Sequence, residues 1–121
     1  MTAPPGWFPR RGDVHIAALD KERPVVVVSS NALNRHSLDV CVAPVSTVEH
    51  KAFQLRPKLD AGEGGLDRAS WVKCDQVTTL EKDLIRFPAL GSVTAASLRR
   101  IEEAIKQALD LDSGPGVLRG A

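Results

Sequence analysis

The pattern of apolar and polar residues along the chain predicts a series of short strands followed by one helix. "DVHIAAL" (13–19) and "PVVVVSS" (24–30) are rich in β-branched residues, and the unbroken valine run of the second segment indicates burial on both faces. The charged turn "DKER" separates them. "NALNRHSL" predicts a turn or a single helical turn, and "DVCVAPVST" (39–47) predicts a third strand, in which Pro44 marks an edge, a bend or the strand's end.

The middle of the chain predicts further strands around a glycine-rich loop. "AFQL" (52–55) predicts a fourth strand, and "DLIRF" (83–87) predicts a short one later in the chain. Between them, "DAGEGGLDR" predicts a loop that leads into "SWVKCDQVTTL" (70–80), whose β-branched and polar mix is typical of a strand.

This last stretch combines core and polar side chains. Since successive strand residues point to opposite faces, one face would carry an aromatic, a cation and a carboxylate: Trp71, Lys73 and Asp75. The other face would carry Val72, Cys74 and Gln76. We therefore expect the stretch to be half core and half functional site.

The segment before the C-terminus predicts an amphipathic helix. Thr94 is a good N-cap, and Val93 and Leu98 have the spacing of a hydrophobic staple. Apolar residues recur at three- and four-residue steps: Leu98, Ile101, Ile105, Ala108 and Leu109. Several short strands plus one terminal helix predict a mainly β fold with a C-terminal helix, built on a small, strongly bent antiparallel sheet or barrel.

Length and composition predict one domain of ordinary globular character. The chain has 121 residues, with residues 1–10 expected to be an irregular lead-in and residues 112–121 a flexible tail. No apolar run has the length of a signal peptide or a bilayer span, so we expect a cytoplasmic protein with no membrane partner. Sixteen Lys and Arg against fifteen Asp and Glu give a net charge of +1, so binding to phosphates would require a local basic patch.

Cysteine and histidine usage predicts no metal and no disulfide framework. Cys41 and Cys74 each lie in a strand-like run, which is typical of small buried hydrophobes in a reducing compartment. His15, His36 and His50 are scattered without metal-ligand spacing and are expected to be surface or partly packed residues. The sequence therefore predicts neither a metal site nor a cofactor.

The order of several motifs identifies a family. "RRGDV", "RPVVVVSSNALNR", "VAPVST", "WVKCDQVTTLEKDLI" and "LGSVTAASLRRIEEAIKQALDL" follow one another along the chain. In this order they resemble the MazF/PemK/Kid toxins of prokaryotic toxin–antitoxin modules, over residues 11–111. The resemblance implies an SH3-like barrel and a homodimer that acts as a metal-independent endoribonuclease on single-stranded RNA at short sequences. It also implies a cognate antitoxin whose extended tail blocks the active groove.

The resemblance also implies site residues. The family's arginine before the second strand matches Arg23, and its hydroxyl residue at the end of the third strand matches Ser46, with Thr47 beside it. Many relatives have threonine and then serine there. The fifth-strand motif, arginine–cysteine–aspartate in some relatives, reads Lys73, Cys74, Asp75 here, and lysine lacks the planar fork that grips phosphate.

The expected chemistry assigns roles to these residues. RNA supplies its own nucleophile, the 2′-hydroxyl next to the scissile phosphate, so the protein must stabilise phosphorane charge and handle protons. We expect Arg23 to stabilise charge and Ser46 to donate to a non-bridging oxygen, while Asp75 takes a proton or orients Arg23. The residues expected to contact RNA are Thr47, Lys73, Trp71 and Gln76.

Structural alternatives exist for the same residues. Arg23 is also placed to pair with Asp20 or Glu22 in a surface turn, and Lys73 with Asp75 to form an ordinary ion pair. Trp71 is a candidate for the core or a dimer interface.

Two other functions stay open. One is a protein-directed toxin of the CcdB type, which inhibits gyrase, although "ALDLDSGPG" lacks the tryptophan of that family's terminal motif. The other is a barrel with weakened catalysis that binds RNA or antitoxin. It is favoured by "LDKERP", a connection shorter than the glycine-containing loop of most relatives.

Overall fold

The part of the chain that the structure describes forms seven strands and two helices, and a hydroxyl side chain caps the start of each helix. The computed structural model describes residues 2–49 and 54–111. The strands are β1 (Asp13–Ala18), β2 (Glu22–Val27), β3 (Asp39–Ser46), β4 (Lys58–Leu59), β5 (Ser70–Val72), β6 (Thr78–Glu81) and β7 (Gly91–Ser92), and the helices are α1 (Asn31–His36) and α2 (Ala95–Ala108). None of the helices within these residues has the length and apolar character needed to cross a bilayer.

The strands form one curled antiparallel sheet. Its order is β4-β5-β3-β2-β1-β7, and β6 also pairs with β3. β3 is the centre of the curl, because its first half (Asp39–Val42) pairs with β6 and its last residues, Val45 and Ser46, pair with β5. The predicted architecture, mainly β with a C-terminal helix, is confirmed, and the sheet forms a half-barrel.

Both faces of the sheet are buried, as the valine run predicts. Val26 lies in a core cluster with Ile101 and Ala104 of α2, whereas Val25 and Val27 lie in a second cluster with Ile85 on the opposite face. All three valines are fully buried. Each contributes about 1.5–3 kcal/mol relative to an exposed side chain, so β2 anchors the sheet on both sides.

Helix α2 covers the first of these faces. Thr94 caps it as predicted, because its hydroxyl accepts a hydrogen bond from the Ser97 amide at 3.1 Å. Ile101 is fully buried, but Leu109 lies past the last helical residue and is 59% exposed, so the apolar stripe ends before it.

The N-terminal segment lies over the second face. Residues 2–12 contain no helix or strand, yet the Trp7 ring packs edge-on against His15 and Phe87, at centroid distances of 5.6 and 5.3 Å. The prediction for His15 was wrong: the side chain is fully buried, and Nδ1 lies 2.8 Å from the Arg86 carbonyl oxygen. His36 is exposed, while His50 and residues 112–121 lie outside the described residues.

Three strand predictions in the middle of the chain need correction. The stretch from Ser70 to Leu80 forms two strands separated by a 3₁₀ turn over Cys74–Gln76. The turn is needed because β5 pairs with the last residues of β3, whereas β6 pairs with its first half. Residues 54–55 lie in a turn, residues 52–53 lie outside the described part, and the strand forms later as β4. "DLIRF" contributes a 3₁₀ turn and a single bridge from Ile85 to Ala17 instead of a strand.

The glycine-rich loop is locked against the segment before β7. Gly65 has φ +77°, and a Cβ atom there would lie 2.1 Å from the Leu90 carbonyl oxygen. Only glycine permits both this backbone conformation and this approach. The loop therefore has a fixed position beside β1 and β7.

Candidate active site

The start of β2 and the end of β3 bring together the first three predicted site residues. Val25 pairs with Pro44 across the two strands, so two residues further on Arg23 and Ser46 point to the same face. Arg23, Ser46 and Thr47 line one groove of about 270 Å³, together with Lys21 and Ser70 among others. We call this the strand-end groove. The connection between β1 and β2 has only three residues, and one of them, Lys21, contributes to the lining.

Arg23 is paired within its own turn. Its Nε donates to Asp20 Oδ1 at 2.9 Å and its Nη2 to Asp20 Oδ2 at 3.3 Å, which is the structural alternative anticipated from the sequence. The hydrogen bond from Arg23 lowers the pKa of Asp20 to about 2, and the same bond raises the pKa of Arg23. The guanidinium therefore stays cationic and is suited to stabilising negative charge instead of accepting a proton.

The Ser46 hydroxyl is oriented by the backbone. Its Oγ accepts a hydrogen bond from the Val48 amide at 3.1 Å, its only hydrogen bond among the described residues. A hydroxyl that accepts one bond still has its own proton to donate. Ser46 is therefore positioned to donate to an anionic oxygen in the groove.

Trp71 and a lysine extend the same face of the sheet beyond the groove. Ser46 lies directly opposite Trp71 in the β3–β5 ladder, and Trp71 lies directly opposite Lys58 in the β4–β5 ladder. Directly opposed residues share a face, and Lys58 Nζ lies 5.9 Å from the Trp71 ring centroid. This places a half-buried aromatic beside Ser46 and a cation one strand further along the same face. The sequence did not single out Lys58, because its register with Trp71 follows only from the unforeseen position of β4.

Asp75 binds a different arginine from the one expected. Arg56 Nε and Nη2 donate to Asp75 Oδ1 and Oδ2 at 3.0 and 3.1 Å, in a bidentate pair whose arginine side chain is only 6% exposed. Sequence reasoning missed Arg56, since no motif marks it. The expectation that Asp75 orients Arg23 is not met in this structure: Asp20 binds Arg23.

The 3₁₀ turn changes the surroundings of the other residues predicted near Asp75. Lys73 precedes the turn, and its amide donates to the Pro44 carbonyl at 2.8 Å, while Gln76 ends the turn and is exposed. The hydrogen bonds from Arg56 lower the pKa of Asp75, and the charges of Arg56 and Lys73 act in the same direction. Asp75, Lys73 and Gln76 are not among the residues that line the strand-end groove.

The cysteines are free thiols, as expected. Burial, with a further effect of the Asp75 charge, raises the pKa of Cys74 to about 12, so this thiol stays protonated and serves as a core residue. Cys41 is only partly buried. No group of three potential metal ligands occurs among the described residues.

Known proteins resemble this chain over most of its length. The family described as "PemK-like, MazF-like toxin of type II toxin-antitoxin system" matches residues 10–109. "Endoribonuclease MazF3" of Mycobacterium tuberculosis is 36% identical over 100 residues, which cover 82% of this chain and 93% of that protein. "Endoribonuclease MazF4" of the same species is 33% identical over 104 residues, with 85% and 94% covered.

Solved structures agree with this assignment. An "Endoribonuclease in complex with its cognate antitoxin from Mycobacterial species" superposes with a TM-score of 0.78 at 31% identity, covering 88% of this chain and 99% of that one. "Mycobacterium tuberculosis toxin MazF-mt6" gives a TM-score of 0.76 at 33% identity, with 83% and 98% covered. The chain belongs to the PemK-like, MazF-like toxins of type II toxin–antitoxin systems.

Proposed function

We propose that this toxin is a metal-independent endoribonuclease that cuts single-stranded RNA at short sequences. The observation that carries the proposal is the convergence of Arg23, Ser46 and Thr47 on one open groove, in a chain whose relatives are named endoribonucleases. The 2′-oxygen attacks the phosphorus while the bond to the 5′-oxygen breaks. Solvent water takes the proton of the 2′-hydroxyl and supplies one to the leaving 5′-oxygen, so the products are a 2′,3′-cyclic phosphate and a 5′-hydroxyl.

Each groove residue has one part in this reaction. Arg23 exchanges Asp20 for the phosphate and stabilises the charge that develops on the phosphorane. The Ser46 hydroxyl donates a hydrogen bond to a non-bridging oxygen of the phosphate, and Thr47 contacts the RNA backbone beside it. Trp71 stacks on a base while Lys58 binds a phosphate beside it.

Asp75 acts on this site indirectly in our proposal. Its carboxylate is engaged with the buried Arg56, so we assign it the positioning of Arg56 and of the 3₁₀ turn. Lys73 and Gln76, at the two ends of that turn, bind RNA outside the strand-end groove.

A cleavage assay in excess EDTA tests the proposal. Attack by the 2′-oxygen requires no metal, so a single-stranded RNA should be cut at the same rate with and without chelator. Its 3′ ends should resist phosphatase until the cyclic phosphate is opened. Activity that disappears with EDTA and returns with magnesium would contradict the mechanism. An all-deoxy strand of the same sequence, which lacks the nucleophile, is the control and should stay intact.

Catalytically weakened binding of RNA or antitoxin is the second candidate function. Two observations favour it. Asp20 binds Arg23 and so competes with the phosphate for the main catalytic cation, and the β1–β2 connection is short. RNA that binds tightly and is not cut in single-turnover conditions would support it over the first. The family match favours either of these over a gyrase-directed toxin.

We also propose a cognate antitoxin and a homodimer in the cytoplasm. A structural relative was solved as an endoribonuclease with its cognate antitoxin, which supports the first partner. Copurification of the toxin with a protein encoded beside it, together with loss of RNA cleavage in that complex, would test the antitoxin. Localisation is tested by fractionating cells that express the tagged toxin.

A further inference from the structure

A second hollow adjoins the strand-end groove. It has a volume of about 460 Å³ and shares Pro24, Thr47 and Ser70 with the groove. Because the two spaces have these three residues in common, a strand of RNA whose phosphate lies between Arg23 and Ser46 has this hollow beside it. Its size lies within the range of pockets that hold small organic groups.

The walls of this hollow are apolar. Ile16 and Pro24 come from paired positions on β1 and β2, while Leu66 and Leu90 come from the glycine-rich loop and the segment before β7. Flat aromatic rings gain from contact with such walls, whereas phosphates and riboses do not. A nucleobase is the part of RNA that fits this lining.

Two adjacent charged residues form the rim. Asp67 and Arg68 are both exposed, and within the described residues neither side chain has a hydrogen bond or an ion pair. The Arg68 carbonyl is fixed by the buried Ser70 hydroxyl, which donates to it at 2.9 Å. The loop is therefore held while the two charged side chains stay available to a ligand.

The hollow is formed before any ligand binds. The Gly62 amide donates to the Leu66 carbonyl at 2.7 Å, and the Leu90 amide donates to the Val14 carbonyl at 2.7 Å. Gly65 lies against the Leu90 carbonyl so closely that no side chain fits between them. The two walls contributed by Leu66 and Leu90 are thus joined to each other and to β1, which lowers the ordering cost of binding.

We propose that this hollow is a subsite for one unpaired nucleobase next to the scissile phosphate, and that Asp67 selects bases with an exocyclic amino group. A carboxylate accepts a hydrogen bond from the amino group of cytosine, adenine or guanine. The one ring N–H of uracil lies between two carbonyl oxygens that repel a carboxylate. The inference rests on the proposed endoribonuclease function, because it places the base beside that reaction.

The experiment reads base preference and rate separately. A single-stranded RNA with a randomised window is cut under single-turnover conditions, and the 5′ ends of the products are sequenced. The proteins compared are the wild type, Asp67→Ala, Asp67→Asn and the control Asp83→Asn. Asp83 is an exposed aspartate that lines a different surface hollow, beside Phe87. Melting temperatures measured on all four proteins confirm that they are equally folded.

We expect the wild type to disfavour uracil about tenfold or more at one position beside the cut. In Asp67→Ala this preference should fall below about threefold, because the rates at cytosine, adenine and guanine fall toward the rate at uracil when the base contact is lost. Asp67→Asn should accept uracil nearly as well as the other bases, because an amide both donates and accepts. The control should match the wild type.

Unchanged base preferences in both Asp67 variants would overturn the subsite. If the wild type cuts no RNA, the proposed function fails, and the subsite is then judged by binding. The randomised RNA retained on immobilised protein is sequenced for the same four proteins. A preference against uracil that Asp67→Ala removes would support the subsite. A pool that is the same for the wild type and Asp67→Ala would reject it.

Discussion

Arg23 has two competing anions, and the balance between them sets its function. In the free protein it binds Asp20, and its side chain is 35% exposed, so a phosphate can approach it from solvent. Exposed pairs of this type contribute little to stability, which makes exchange of Asp20 for a phosphate inexpensive. The residue therefore combines a surface ion pair in the free protein with the main electrostatic role in the proposed reaction.

Arg23→Ala should reduce RNA cleavage about a hundredfold or more, the scale for loss of one electrostatic contact to a transition state. Arg23→Lys should restore little, because an ammonium lacks the fork of donors. Binding of a non-cleavable RNA should fall much less than the rate. Single-turnover rates, RNA affinity and melting temperature are measured on each variant.

Arg99→Ala is the matched control for this prediction, since Arg99 is an exposed arginine on α2 and its removal changes the net charge equally. If Arg23→Ala cuts RNA as fast as Arg99→Ala does, Arg23 has no part in the mechanism. If Arg23→Ala unfolds, the Asp20 pair is structural after all.

Asp75→Asn should lower the free energy of unfolding by about 1–3 kcal/mol at pH 7, because it removes the charged partner of a buried guanidinium. The pKa of Asp75 is lowered in the folded protein, so the stabilisation is complete above the unfolded value of about 3.9. It is lost as the pH falls through the folded pKa. The difference between the wild type and the variant in urea unfolding curves should therefore shrink as the pH falls below the unfolded value.

Asp83→Asn, at an exposed aspartate outside this pair, is the control for the loss of one surface carboxylate. The activity of Asp75→Asn separates positioning from catalysis. A fully folded variant that has lost cleavage at every pH would return Asp75 to a direct catalytic role and contradict our assignment.

The connection between β4 and β5 is the element that shapes the substrate side of the molecule. It contributes Leu66 and the two charged residues of the rim, and its glycines allow it to touch the segment before β7. A loop with the same composition but without this contact would leave the hollow without one wall.

Gly65→Ala should destabilise the protein strongly, and Gly62→Ala much less. Both residues have positive φ, at +77° and +95°, so each substitution carries backbone strain of about 1–3 kcal/mol. Only at Gly65 does the new Cβ meet backbone, at 2.1 Å from the Leu90 oxygen, whereas nothing lies within 4 Å at Gly62. Thermal unfolding of the two variants isolates the steric effect, and equal losses would show that the contact does not matter.

The sequence predicts elements well where one local pattern decides the structure. The valines of β2 and the Thr94 cap of α2 are such cases, because burial on both faces and helix capping each depend on residues that are adjacent in the sequence. It fails at Cys74–Gln76, where residues of strand type adopt a 3₁₀ turn. That turn follows from β3 pairing with two partners in succession, a long-range constraint that no local pattern reports.

The same limit applies to the site. Arg23, Ser46 and Thr47 could be found because a family motif marks each of them, and their meeting follows from adjacent strand ends. Asp67 could not be found, because its proposed role depends on the hollow that it lines, which no local pattern reports. Arg56 and Lys58 could not be found either, because each acquires its role from a partner in another element. For Arg56 that partner is Asp75, and for Lys58 it is Trp71.

At the scale of the whole molecule, the chain leaves several large apolar side chains in solvent. Leu38 is 84% exposed and Val48 62% exposed, at opposite ends of β3. One or two exposed apolar side chains are ordinary on a monomer. Several of them on a chain of this size cannot all be covered by the chain itself. A two-fold partner is the commonest way to cover such surface in a small protein.

We therefore expect a homodimer, and sedimentation equilibrium at micromolar concentration should give twice the 13.0 kDa mass of one chain. Leu38→Glu places a charge at one end of β3, and Val48→Glu places one at the other end. The substitution that lies in the dimer interface should give a protein that sediments as a monomer, and the other should leave the dimer intact. The dimer matters for function because it decides whether the strand-end grooves of two copies form one continuous RNA path. A wild type with the mass of a single chain at these concentrations would show that each groove acts alone.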